Sequence, residues 1–275
     1  MAKVMFNLPE YFALHSYLSA LLCGSFVLLP RSTPWFVGQP TQSSSADRPE
    51  YPFLTPMTSR PLATMVWDLF GMLLCMSWWG SRMRRWWAAS VKKVDQVDDF
   101  TERMERNKQM LQCSLSILAT SVVIYVLLVT LGAPIDSHHF HTALLAMHLS
   151  ILTVWPVVQT LGVPSIYDSG TYARFRMTRL PETPLERALV YPVIGTLVGA
   201  WVGVVPIPLD WDRPFQSYPL TPTVGSILGF IAGGFASWVH SALLDTFDEV
   251  KQQQQQQVSH ARIVEKRKNK RSKRT

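Results

Sequence analysis

Six stretches of this chain are apolar over about the 20 residues that a helix needs to cross the hydrocarbon of a bilayer. They run Phe12 to Leu29, Leu62 to Gly80, Gln112 to Gly132, Phe140 to Gly162, Ala188 to Leu209 and Thr221 to Leu244. In lipid every backbone polar group must find its partner within the protein, which leaves such segments the α-helix. The six stretches take nearly half of 275 residues, so little remains for a separate soluble core. A mean hydropathy of only +0.10 conceals this, because polar loops dilute the apolar runs. The expectation is all-α: a polytopic membrane helical bundle of about six transmembrane helices, with residues 1–250 forming a single six-span membrane domain.

Basic residues in short loops stay on the cytoplasmic side. Of 26 Lys and Arg, only Arg31, Arg48, Arg60 and Arg213 fall in the odd-numbered loops. The other side holds Lys3, eight basic residues between Arg82 and Lys108, then Arg174, Arg176, Arg179 and Arg187, and the C-terminal tail. Both termini are therefore expected in the cytoplasm. Lys3 alone precedes the first apolar run and no small-residue cleavage site follows it, so a retained first span is expected rather than a removed signal peptide.

Loops and tails carry little that suggests chemistry. Gln39 to Pro56 is rich in Ser, Pro and Thr and reads as an irregular loop. The charged cytoplasmic insert, 81–110, mixes basic residues with Asp95, Asp98, Asp99, Glu102 and Glu105; Val91, Val94 and Val97 recur every third position, as on an amphipathic surface helix. Residues 251–275, with six glutamines from Gln252 to Gln257 and a basic end from Lys266, read as a disordered polyglutamine and basic cytoplasmic tail. Such an end would suggest nucleic acid in a soluble protein; six spans argue against it. Cys23, Cys75 and Cys113 lie in or beside spans without metal-ligand spacing and read as packing residues.

Glycine recurs at every fourth position in the last two spans: Gly195, Gly199 and Gly203, then Gly225, Gly229 and Gly233. Each set makes one flat stripe on a helix. Lipid offers no hydrophobic force between helices, so close backbone approach at small residues is a main source of packing energy. Between the stripes lies the turn Pro206-Ile207-Pro208-Leu209-Asp210-Trp211-Asp212-Arg213-Pro214, too polar for hydrocarbon. The pair reads as a tight hairpin with its tip in the lumen. Asp210, Trp211, Asp212, Arg213 and Phe215 are the candidate contact for a partner or a lipid headgroup, or they simply order the turn.

Ionisable groups within the spans are Asp68, His141 and His148. A carboxylate at mid-span costs about 2.5 to 3.5 kcal/mol on insertion scales, so Asp68 must face protein. His141 and His148 are seven residues apart and share a helix face, with Gln159 further along and Pro156 offering a kink. They serve either interhelical hydrogen bonding or the path of a lipid transporter or scramblase. Asp136, His138, His139, His141, Asp210 and Asp212 would gather on the lumenal side, yet without an HExxH or similar framework, a nucleophile beside a base, or a phosphate-cradling loop. No catalytic residue, metal or cofactor is therefore assigned.

The run from Gly199 through Gln216, continuing past Pro219 to Gly229, resembles the signature of the phosphatidylinositol-glycan biosynthesis class F protein family, with a weaker likeness from His141 to Pro164. The charged insert and the glutamine tail lie outside it and resemble fungal additions. The resemblance implies a multi-pass protein of the endoplasmic reticulum membrane, acting in the synthesis of the glycosylphosphatidylinositol (GPI) anchor. It implies a non-catalytic accessory subunit that stabilises a large catalytic ethanolamine phosphate transferase, of the types that modify the second and third mannoses of the glycolipid. Membrane lipids are the other expected partners. The competing reading is that the chain is itself a lumenal phosphoethanolamine transferase.

Overall fold

The computed structural model describes residues 7–38, 53–91, 99–134, 137–162, 181–209, 211 and 213–272. Among them six helices are long and apolar enough to cross a membrane. Helix α1, Leu8–Leu28, opens on Pro9, whose missing N–H costs nothing in a first turn. It passes through a 3₁₀ turn, Leu29–Ser32, into α2, Thr33–Val37, which ends at Gly38 with φ of 79°. A single turn, α3 (Thr55–Thr58), leads into α4, Pro61–Val91, and then α5, Asp99–Thr130.

The fourth span is broken in two. Helix α6, His139–Thr153, gives way to α7, Trp155–Leu161, at the point where Pro156 withholds a backbone donor. Helix α8, Pro184–Val204, begins with a reciprocal cap: the Thr183 hydroxyl accepts from the Glu186 N–H, while the Glu186 carboxylate accepts from the Thr183 N–H. Its expected end at Leu209 falls back to Val204, because Pro206 and Pro208 cannot prolong a helical ladder. Helix α9, Leu220–Ser272, is about 80 Å long at 1.5 Å per residue.

Two stretches differ in form from the sequence expectation. The charged insert is divided between the end of α4 and the start of α5, and Val94 and Val97 lie outside the described residues. The tail, expected to be disordered, continues α9 to Ser272, with residues 251–260 exposed.

Successive spans alternate in direction, giving the bundle a tip side, where α8 and α9 are joined, and a tail side. On the tip side the Thr142 and Tyr218 hydroxyls pair at 3.0 Å. Toward the tail side Trp238 Nε1 donates to the Leu8 carbonyl, 3.2 Å away. The α6–α7 span is the centre, with 72% of its apolar window buried, while α5 at 11% lies at the edge. Leu18, Leu22, Met72, Met76, Trp79, Ile151, Leu152 and Phe230 form the closed core. On α5, Leu111, Leu115, Leu118 and Val122 point outward at helical spacing, a lipid-facing stripe.

Candidate functional site

The glycine stripes face one another. A Cβ at Gly195 would collide with the Gly229 carbonyl, one at Gly199 with that of Gly225, and one at Gly203 with the backbone of Thr221 and Pro222. Gly233 lies against the backbone of Tyr191 and Pro192. Cα hydrogens of one helix thus abut carbonyl oxygens of the other, a contact worth about half an ordinary hydrogen bond per pair, repeated along the seam. The seam consumes both stripes except at its tip-side end, where Gly203 and Gly225 also border an apolar cavity.

At the tip, Asp210 and Asp212 lie outside the described residues. Trp211 and Phe215 stand with ring centroids 6.5 Å apart, and Trp211 is exposed. The turn is organised by a residue that sequence reasoning passed over. Gln216 accepts from the Arg213 N–H through Oε1 at 2.7 Å and donates through Nε2 to the Pro206 and Leu209 carbonyls, each at 2.7 Å. One side chain closes the loop, leaving Trp211 outward while Phe215 is half-buried and borders an apolar cavity.

Asp68 and His148 meet in the centre of the bundle, and a third residue joins them. Asp68 Oδ2 is 2.6 Å from His148 Nδ1, and His148 Nε2 is 2.7 Å from Ser226 Oγ; all three residues are fully buried. The order resembles a Ser-His-Asp triad, but proton counting separates the two. Ser226 Oγ donates its only proton to the Thr223 carbonyl at 2.7 Å, so Nε2 must donate to the serine. In a nucleophilic triad the serine donates to the histidine. With Nε2 protonated, the Asp68 contact needs either an imidazolium beside a carboxylate or a neutral imidazole accepting from a carboxylic acid. Either arrangement is net neutral and ties α4, α6 and α9 together.

Other polar residues act likewise as pins between helices. Gln159 on α7 donates to the Ser77 carbonyl and the Ser81 hydroxyl of α4, both at 3.1 Å, and accepts from Trp155 Nε1 at 2.7 Å. Its backbone carbonyl receives the Gln109 amide of α5. His15 on α1 contacts the Ile231 carbonyl at 3.0 Å and lies over Gly234, where a side chain would collide with its ring. Arg187, buried at the start of α8, donates to Ser241 Oγ at 2.8 Å and to the Glu182 carbonyl at 2.9 Å. Ser226 and Gly234 carry no signal as single residues; only their partners reveal them.

His141 does not join His148. It sits in the first turn of α6, its ring 5.0 Å from that of His138. Nearby, burial raises the Tyr218 phenol above its ordinary pKa, with the Thr142 hydrogen bond working the other way. Among the described residues no three His, Cys, Asp or Glu side chains converge as metal ligands would.

This fold and these pins define a polytopic helical membrane protein whose intramembrane polar groups join its own helices. The chain belongs to the GPI biosynthesis protein family Pig-F, whose profile matches residues 50–238. That range takes in the seam, the tip, Asp68, His148 and Gln159. A relative from Yarrowia lipolytica, glycosylphosphatidylinositol anchor biosynthesis protein 11, is 41% identical over 124 residues, covering 45% of this chain and 52% of its own. The human GPI ethanolamine phosphate transferase, stabilizing subunit, is 33% identical over 132 residues, covering 47% and 58% respectively. A PIGF/3-ketodihydrosphingosine reductase fusion protein of Schizosaccharomyces pombe is 37% identical over 124 residues, 45% of this chain and 24% of that one. The chain thus spans about half the length of the first two relatives. No solved structure matches.

Proposed function

We propose that this chain is a non-catalytic stabilising subunit of an ethanolamine phosphate transferase complex in the endoplasmic reticulum membrane, acting on mannoses of the GPI anchor precursor. The observation that carries the reading is its likeness to the human protein named a stabilizing subunit. The chemistry of the bundle supports it: Asp68, His148 and Ser226 are sealed from water and their donor order runs away from an activated serine. In this reading the termini are cytoplasmic and the tip lumenal, as the charge distribution favours. A large catalytic subunit, of the type modifying the second or third mannose, rests against the tip at Trp211, Arg213 and Phe215, and the sequence neighbours Asp210 and Asp212 are assigned to the same contact.

The test is affinity purification of the full chain in mild detergent, followed by mass identification of its stoichiometric companion and assay of phosphoethanolamine transfer with and without it. A transferase that co-purifies and carries all the activity is the expected result. Transfer by the isolated chain would overturn the accessory assignment. Recovery undiminished in a Trp211→Ala/Phe215→Ala variant would remove the tip from the contact.

A further inference from the structure

We propose that the segments around α2 and α3 form a phospholipid site, in which Arg31 and Arg60 hold the headgroup phosphate and an adjoining cavity takes an acyl chain. The proposal stands apart from the accessory reading and can fail without it. On the tip side a pocket of about 120 Å³ is walled by Pro30, Arg31, Thr33, Gly38, Ser59 and Arg60. It brings together two of the four basic residues that the charge distribution places on that side, where such residues are otherwise scarce.

Neither cation is neutralised by a described residue. Among the described residues the Asp68–His148 pair is the only ion pair, and Arg60 Nη1 is buried without a hydrogen-bond partner. Arg31 is steered by the Phe53 ring, its guanidinium carbon 4.8 Å from the ring centroid. Two arginines lining one pocket beside hydroxyls, with no carboxylate among the described residues that wall it, suit a phosphate.

The turn α3 is a wall shared by two unlike spaces. Thr55, Pro56 and Ser59 line the cationic pocket, whereas Leu54, Met57 and Thr58 line an apolar cavity of about 400 Å³. Phe26, Val202, Phe215, Val224 and Leu228 are among its other walls, between the end of α1 and the opening of the α8–α9 hairpin. A cationic cleft and an apolar cavity on opposite faces of one helical turn match the two ends of a phospholipid. The depth agrees, since Trp35 and Phe36 beside the pocket are exposed, as rings at headgroup level are. The cationic pocket is far below the roughly 300–1,000 Å³ of sites for drug-sized ligands, so it admits a phosphate and not a nucleotide.

The experiment uses the full chain purified in detergent, with binding read by native mass spectrometry. The probes are dioleoyl phosphatidylethanolamine, dioleoylglycerol and inorganic phosphate, and Lys251→Ala, altering an exposed cation on the tail side, is the control. The expected result is retention of phosphatidylethanolamine over dioleoylglycerol, with affinity reduced by about tenfold or more in Arg31→Ala/Arg60→Ala and unchanged in Lys251→Ala. Equal retention of the two lipids, or no loss in the double variant, would overturn the proposal. Competition by millimolar inorganic phosphate as effective as by the lipid would make the ligand a free anion and overturn it as well. So would a wild type that holds no phospholipid but loses its protein companion when the arginines are changed, which would make the pocket a seat for an acidic peptide. Should the double variant fail to fold, wild type with a headgroup-photoactivatable phosphatidylethanolamine decides. Labels concentrated in residues 29–38 and 53–60 support the site, and labels spread along the lipid face of α5 defeat it.

Discussion

Gly80 and the side-chain amide of Gln159 occupy adjoining space so tightly that a Cβ on residue 80 would collide with the amide oxygen. That oxygen is the end of a flexible side chain, but Trp155 and Ser81 already hold the amide in place. Gly80→Ala is therefore expected to displace Gln159 and cost roughly 1–3 kcal/mol, the range for overpacking a close-packed site. Thermal unfolding in detergent measures it. The double variant Gly80→Ala/Gln159→Ala should recover part of the loss, and a strictly additive result would mean that the two residues are not coupled.

At the α8–α9 seam the obstacle is backbone, which cannot rotate away. Gly199→Ala and Gly229→Ala should each cost at least as much as Gly80→Ala, because the helices must part along their whole contact. Gly24→Ala in α1 is the counterpart: no atom lies within 4 Å of the point a Cβ would occupy, and alanine there should be neutral or stabilising by about 0.4–1 kcal/mol. Equal tolerance of alanine at 24 and 199 in the same unfolding assay would contradict the seam.

The central triad predicts an asymmetry. His148→Leu leaves Asp68 buried with neither oxygen paired, since Oδ1 already lacks a partner among the described residues. Breaking a buried pair in this way costs about 3–5 kcal/mol. Asp68→Leu leaves only a neutral imidazole with one unmet nitrogen, about 1–3 kcal/mol. The double leucine variant should be more stable than His148→Leu alone. Unfolding midpoints in the reverse order would rule out a charge-bearing Asp68.

Tyr218 provides a pH signature outside the spans. Burial raises its phenol in the folded chain, so the unfolded chain ionises first, from about pH 10. The stabilisation tied to the neutral phenol is thus complete below that value and declines as pH rises through the folded value. Tyr218→Phe should flatten the alkaline limb of the stability profile. Ultraviolet titration should show one fewer phenolate forming above the ordinary range in the variant than in wild type.

Hydropathy located the six spans because bilayer thickness sets a length that few soluble segments reach. Glycine spacing identified the flat faces of α8 and α9 because a period near 3.6 places every fourth residue on one side. It could not say what those faces touch, since periodicity describes one helix and not its neighbour. Asp68 and His148 were each legible as polar residues in lipid, yet 80 positions separate them and only the packing brings them together. Ser226 left no trace, being one small residue among many in its helix. Arg31 and Arg60 were visible only as exceptions to a charge count, and their meeting depends on how α2 and α3 fold back over the bundle.

The α8–α9 seam has one further consequence. Side chains give way under load by changing rotamer, but two backbones in contact have no such freedom, so the hairpin responds to force as a single rod. A push on the loop at Trp211 is carried down both helices to the tail side of the seam, where Arg187 meets Ser241 and Tyr191 meets His240.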